Sequence, residues 1–147
     1  AITLGLSPLG WRKLVRAYCR TRPGLFREAR ALLMKDGDRC WVISASPRAL
    51  VRGQLHQQLP GKLPHRTLGS RMHYRLGGLM PRFYCHGQHK ILPEIRALTV
   101  TLALSDSLHD LPLLAQGAEA WLINPTPLRL QKAQACLPHI MTKCWRL

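Results

Sequence analysis

Residues 99–114 read Thr-Val-Thr-Leu-Ala-Leu-Ser-Asp-Ser-Leu-His-Asp-Leu-Pro-Leu-Leu. From Thr99 to Leu104 β-branched and apolar residues alternate, which predicts a strand. Ser105-Asp106-Ser107 ends it, and Leu111, Leu114 and Ala115 then suit one face of a helix. A strand that runs through a polar turn into a helix is one half of a βαβ unit, and the pattern recurs on both sides. Upstream, Cys40-Trp41-Val42-Ile43 is a short apolar run that predicts a buried strand. Ser44-Ala45-Ser46-Pro47 follows, with Ser46 suited to cap a helix and Pro47 to its first position. Val51, Leu55 and Leu59 recur every four residues, so this helix is expected to run to about Leu59, where Pro60-Gly61 stops it. Downstream, Ala120-Trp121-Leu122-Ile123 predicts another strand, closed by Asn124-Pro125, and a last helix is expected near Leu128 to Leu137. Strands alternating with helices predict an α/β fold with a parallel sheet covered on both faces.

The remaining segments are less regular. Trp11 to Met34 has helical, basic periodicity broken near Arg22-Pro23-Gly24, with Leu14, Val15 and Tyr18 on one face and Leu25, Phe26, Ala29, Leu32 and Leu33 on another. Asp36-Gly37-Asp38 reads as a turn. Residues 62–84, punctuated by Gly69, Gly77, Gly78 and Pro81, read as short strands. A helix starting near Gly87 to Lys90 is expected to bury Ile91, Ile95 and Leu98.

In open α/β sheets ligands sit beyond the carboxyl ends of the strands. Ser44 and Asp106 each follow such an end, and Lys90 lies between them at the expected start of a helix. The chain has only four aspartates, and two of them, Asp106 and Asp110, fall in one turn. A hydroxyl, an ammonium and two carboxylates converging at strand ends would form a phosphate and metal site. Phosphoryl transfer draws most of its catalysis from such positioning and charge neutralisation. Each residue also has a plainer reading: Ser44 as a helix-start residue, Lys90 as a solvated lysine, Asp110 as a complement to a helix dipole.

Taken together, these stretches resemble the haloacid-dehalogenase-like (HAD) phosphatases. Leu104-Ser105-Asp106-Ser107-Leu108-His109-Asp110-Leu111-Pro112-Leu113-Leu114 resembles the fourth motif, two acids four apart in a strand-to-helix turn, and Ile123-Asn124-Pro125 resembles the end of the next strand. Trp41-Val42-Ile43-Ser44-Ala45-Ser46-Pro47 resembles the second motif, and Cys85-His86-Gly87-Gln88-His89-Lys90 the third. The resemblance covers roughly residues 38–130, in the family's order. It implies a three-layer, Rossmann-like core with a parallel sheet at 38–137, a partial helical cap at 1–37 and a basic tail at 138–147. By resemblance Ser44 hydrogen-bonds the phosphoryl group, and Lys90 neutralises its charge. Asp106 binds Mg²⁺, and Asp110 supports the metal's water or the lysine. The nearest branch is similar to phosphoserine phosphatases, with a weaker likeness to phosphatidylglycerophosphatase C.

The sequence departs from the family at the first motif, Asp-x-Asp-x-Thr/Val after the first strand, which supplies the nucleophile. Asp36-Gly37-Asp38 precedes a strand instead of following one, so it does not serve. The expectation is an inactive fragment of a Mg²⁺-dependent phosphomonoesterase whose first strand is missing and whose sheet would expose unpaired backbone. A catalytically dead scaffold that binds anions is the alternative.

Composition bounds the partners. The 22 Lys and Arg against 7 Asp and Glu give a net charge of +15, which favours anionic partners. A phosphorylated small molecule or lipid is the expected substrate, with an anionic membrane surface as a variant. A nucleic-acid-binding role ranks last, because no recognition motif accompanies the charge. Five cysteines without a C-x-x-C pair give neither zinc-ligand spacing nor an even disulfide set. They fit a reducing, cytoplasmic setting, with peripheral contact at the inner membrane as the variant. The seven histidines read as scattered polar residues, and the four tryptophans as packing residues.

Overall fold

The computed structural model describes residues 3–4, 6–75 and 77–147. The chain divides into two compact units, residues 1–85 with Leu147, and residues 86–146. Each has its own sheet and its own apolar cluster.

The first unit runs Thr3–Leu4 (β1), Pro8–Thr21 (α1), Arg27–Asp36 (α2), Trp41–Pro47 (β2), Arg48–Gln58 (α3), Arg66–Arg75 (β3) and Gly78–Phe83 (β4). The sheet order is β1-β4-β3-β2. The β2–β3 pair is parallel, and β3–β4 and β4–β1 are antiparallel. Pro23 and Gly24 separate α1 from α2, as the sequence predicts. Ser7 caps α1 by accepting from the Gly10 amide at 3.0 Å, and Pro8 takes the first helical position. Leu33, Leu55 and Leu59 form the core of this unit, with Leu25, Cys40, Val42 and Val51 packed on it. The exposed Leu14 departs from the apolar face expected of it; Cys19 is buried on α1 instead. Gly53 on α3 faces this thiol: a Cβ there would stand 2.8 Å from Cys19 Sγ, so a larger residue would have to displace it.

Burial pushes the Cys19 thiol above its ordinary value. The Cys40 thiol is also raised, first by burial and then by the Asp36 and Asp38 carboxylates. Thiolate is the reactive form, so a raised thiol is slower at a given pH. Cys19 and Cys40 are therefore expected to alkylate with iodoacetamide at pH 8 more slowly than the exposed Cys136 and Cys144. Peptide mass spectrometry over a time course reads this directly, and equal rates at all four sites would contradict it.

The second unit runs Pro93–Arg96 (α4), Val100–Ser105 (β5), Leu111–Leu114 (α5), Gly117–Ile123 (β6), Pro127–Cys136 (α6) and Met141–Lys143 (β7). All pairing is parallel, in the order β5-β6-β7. Thr126 caps α6, its hydroxyl accepting from the Arg129 amide. Ala103, Leu114, Ala120, Leu122, Ala133, Leu137 and Ile140 form the core. The expected α/β fold with parallel strands is present.

Three local expectations are corrected. The helix expected from Gly87 onward is a 3₁₀ turn at Gly87–Lys90 followed by the single turn of α4. Pro93 lacks an amide hydrogen and pushes Leu92 toward extended geometry, so no continuous helix can form, and Leu98 is left 43% exposed. Ser46 does not cap α3, whose N-cap position is Pro47 without a side-chain bond. The segment after Leu137, read as a tail, contains β7, which pairs with β6. No described helix is long and apolar enough to cross a membrane.

Candidate functional site

In the second unit the carboxyl end of β5 is built from one polar turn. Ser105 Oγ accepts from the Ser107 amide at 3.1 Å and donates to Asp110 Oδ2 at 2.7 Å. Ser107 Oγ in turn accepts from the His109 amide at 3.3 Å, starting the 3₁₀ turn Leu108–Asp110. These bonds swing Asp110 back beneath the strand end, where Lys90 meets it. Lys90 Nζ lies 2.7 Å from both Asp110 Oδ1 and Asp110 Oδ2. Lys90 is 5% exposed and Asp110 7%. Two charges so far from water persist only when paired and hydrogen-bonded, and the Ser105 hydroxyl supplies the third partner.

Asp106 occupies the same turn but is exposed, and no side-chain partner meets it among the described residues. The two acids thus have different environments. Asp110 is engaged on both oxygens, and Asp106 presents its carboxylate to solvent. His86 and His109, 23 positions apart, lie with ring centroids 4.9 Å apart and tilted by 47°. The sequence treats these histidines as scattered, because nothing in their spacing pairs them.

Ser44 belongs to the first unit. The register of β2 against β3 jumps from Ile43↔Leu68 to Pro47↔Ser70, so four steps on β2 oppose two on β3. Ser44, Ala45 and Ser46 form this bulge. Ser44 Oγ accepts from the Ser46 amide at 3.2 Å, and the Ser70 hydroxyl donates to the Ala45 carbonyl at 2.6 Å. Ser70 Oγ also accepts from the Cys85 amide at 3.0 Å. A Cβ on Gly69 would stand 2.8 Å from the Ser46 carbonyl oxygen and 2.9 Å from Arg48 Cα, so glycine is what lets the bulge fold against β3. Asp36 and Asp38 flank the end of α2 and the following 3₁₀ turn, and Asp36 pairs with Arg39 at 2.6 Å. That pair holds the Asp36 carboxyl below its ordinary value. The acids of this stretch are turn residues, as the sequence indicates.

Of the four residues singled out from sequence, the structure brings Lys90 and Asp110 into direct contact and sets Asp106 on their turn. Ser105 was missed. Its position at a strand end is visible in the sequence, but a serine there carries no sign of a partner five residues on.

Mg²⁺ prefers hard oxygen ligands and is held by one or two carboxylates together with waters and substrate phosphates. Asp106 fits such an ion as a single protein ligand. Asp110, taken up by Lys90 and Ser105, suits the lysine-supporting role. Among the described residues no group of three or more His, Cys, Asp or Glu is placed to hold a metal. The donors of the described residues do not by themselves complete a Mg²⁺ site.

No curated protein and no solved structure matches the chain. A model of the haloacid dehalogenase-like hydrolases matches residues 1–115, which takes in the two N-terminal helices, the β2 bulge and the Lys90–Asp110 turn. On that match the chain belongs to the haloacid dehalogenase-like hydrolase family.

Proposed function

We propose that this chain carries the phosphate-handling part of a Mg²⁺-dependent phosphomonoesterase. The observation that carries the reading is the buried Lys90–Asp110 pair, tied by Ser105 to the strand end at which Asp106 is exposed. Asp110 fixes the ammonium, whose positive charge is suited to a phosphoryl group. Asp106 would be the metal's protein ligand, and the ion would supply further charge neutralisation. Ser44, on the β2 bulge, would donate its hydroxyl to a phosphoryl oxygen. The substrate is a small-molecule or lipid phosphate, the branch that of the phosphoserine phosphatases, and the phosphatidylglycerophosphatase C type its finer form. A cytoplasmic place with peripheral contact at an anionic inner membrane accords with the basic charge.

The reading also requires two carboxylates in an Asp-x-Asp pattern at the end of a strand, which residues 1–147 do not provide. β2, which carries Ser44, and β5, which leads into Asp106, are each the edge of their own sheet among the described residues. An edge strand offers unpaired amides and carbonyls that a further parallel strand can take up. The chain alone is therefore expected to release no phosphate from a monoester in Mg²⁺. The same chain supplied with a strand that ends in Asp-x-Asp is expected to turn over, and Asp106→Asn to lower that rate by roughly 100-fold or more. Turnover unaffected by Asp106→Asn would sink the assignment. Silence in both forms would favour the alternative, a dead scaffold that binds anions, for which the unbalanced positive charge is the supporting observation.

A further inference from the structure

One face of α1 is spent on the protein. Cys19 is buried there, with Gly53 of α3 set against it and against Val15, and its thiol donates to the Leu50 carbonyl at 3.7 Å. The helix is thereby held in a fixed rotation, and its outer face carries Arg12, Lys13, Arg16 and Arg20, all exposed. No acid precedes Glu28 in the sequence, and none of the four cations has an ion-pair partner among the described residues. At about 3.6 residues per turn, Lys13, Arg16 and Arg20 fall within about 60° of one another around the helix axis.

Two large apolar side chains share this outer face. Leu9, 63% exposed, lies on the line of Arg16 and Arg20, and Leu14, 48% exposed, lies further round. The second helix, α2, repeats the mixture: Arg27, Arg30 and Met34 are exposed at spacings of three and four.

A row of unpaired cations on a fixed face suits a surface that carries many negative charges. The leucines decide which surface. Nucleic acid offers phosphates with no apolar phase beside them, whereas the boundary of an anionic bilayer offers headgroup charge and acyl chains together. Long arginine and lysine stems let the charges stay among the headgroups while a leucine sits deeper. We propose that the outer face of α1 docks the chain on an anionic lipid bilayer, its cations on the headgroup phosphates and Leu9 at the acyl boundary. The helix is already formed and held on α3, so docking costs no folding. The proposal gives the peripheral membrane contact proposed above a defined surface, rests on that part of the reading alone, and uses none of Ser44, Lys90, Asp106 or Asp110.

Co-sedimentation of the full chain with vesicles of phosphatidylcholine alone, and of phosphatidylcholine mixed with phosphatidylserine, tests it. Binding is expected only to the mixed vesicles and is expected to weaken with added salt. Each basic residue at such a surface strengthens binding by about fivefold, so Arg16→Gln with Arg20→Gln is expected to weaken it by about 25-fold. Leu9→Ser is expected to weaken it by about tenfold and to leave binding to a short DNA duplex unchanged. Arg129→Gln with Lys132→Gln, exposed on α6, removes the same charge elsewhere and is expected to leave vesicle binding unchanged. Equal binding to both kinds of vesicle, no binding to either, or an equal loss from the α1 and α6 pairs would overturn the proposal. Vesicle binding indifferent to Leu9→Ser would overturn it as well, and with DNA bound as tightly the face would be a nucleic-acid surface. Vesicle binding needs no turnover, which separates the two readings. A chain that binds vesicles while its form supplied with Asp-x-Asp releases no phosphate keeps the face and discards the phosphatase. Release of phosphate from a soluble monoester without vesicle binding does the reverse.

Discussion

Lys90→Met is expected to lower the unfolding free energy by about 3–5 kcal/mol, the range found when one member of a buried ion pair is removed. The cause is what remains. Asp110 is 7% exposed, and with Lys90 gone its carboxylate keeps only the Ser105 hydroxyl at 2.7 Å as a side-chain partner among the described residues. A buried carboxylate so poorly compensated must stay underpaired or draw the turn open to water, and each costs stability. Methionine matches the lysine stem in length, so the loss is of charge and not of packing. Adding Asp110→Leu should recover most of the loss, because an apolar pair of similar volume carries no desolvation penalty. Urea denaturation of the wild type, the two single variants and the double variant forms a complete cycle. A change under about 1 kcal/mol for Lys90→Met would mean that the pair is hydrated in solution and behaves as a surface bridge. Added salt should alter the result little, since buried pairs are poorly screened.

The same turn shows what the sequence could and could not tell. The strand before it, β5, was legible because alternation over six residues has one simple explanation, and α3 and α6 were legible because their apolar residues repeat at helical spacing. The spacing of Asp106 and Asp110 located the turn and marked both acids. It left open which would face solvent and which the lysine, since that depends on a hydroxyl, Ser105, bonding five residues ahead. Ser46 was misplaced as a cap because a bulge, which depends on the close approach at Gly69, carries the chain past it before the helix starts. β7 escaped notice because Met141, Thr142 and Lys143 are all exposed, and a strand without a buried face has no alternation to read. The His86–His109 contact joins residues far apart in sequence, so only the fold discloses it.

Leu114→Ala should be the other costly change, lowering stability by about 2–5 kcal/mol. Leu114 is fully buried at the end of α5, packed in the cluster of Ala103, Ala120, Leu122, Ala133, Leu137 and Ile140. Three members of that cluster are alanines, which have no further side-chain atoms to extend into the space a truncated leucine leaves. The consequence reaches the site. A four-residue helix has no stability of its own, so packing must hold α5 in place. Asp110 is the residue immediately before it, and Leu114 is therefore the anchor that keeps the carboxylate against Lys90. Loss of the anchor should raise amide hydrogen exchange through 105–115 more than in β6, where the strand is paired on both sides by β5 and β7. Leu128→Ala on α6, 61% exposed, serves as the control and should change stability by no more than about 0.5 kcal/mol. Should the two alanine variants unfold alike, the cluster is not the core of this unit. Should Leu114→Ala destabilise without faster exchange at 105–115, the turn holds itself through Ser105 and Ser107, and the lysine's position does not depend on the packing beneath it.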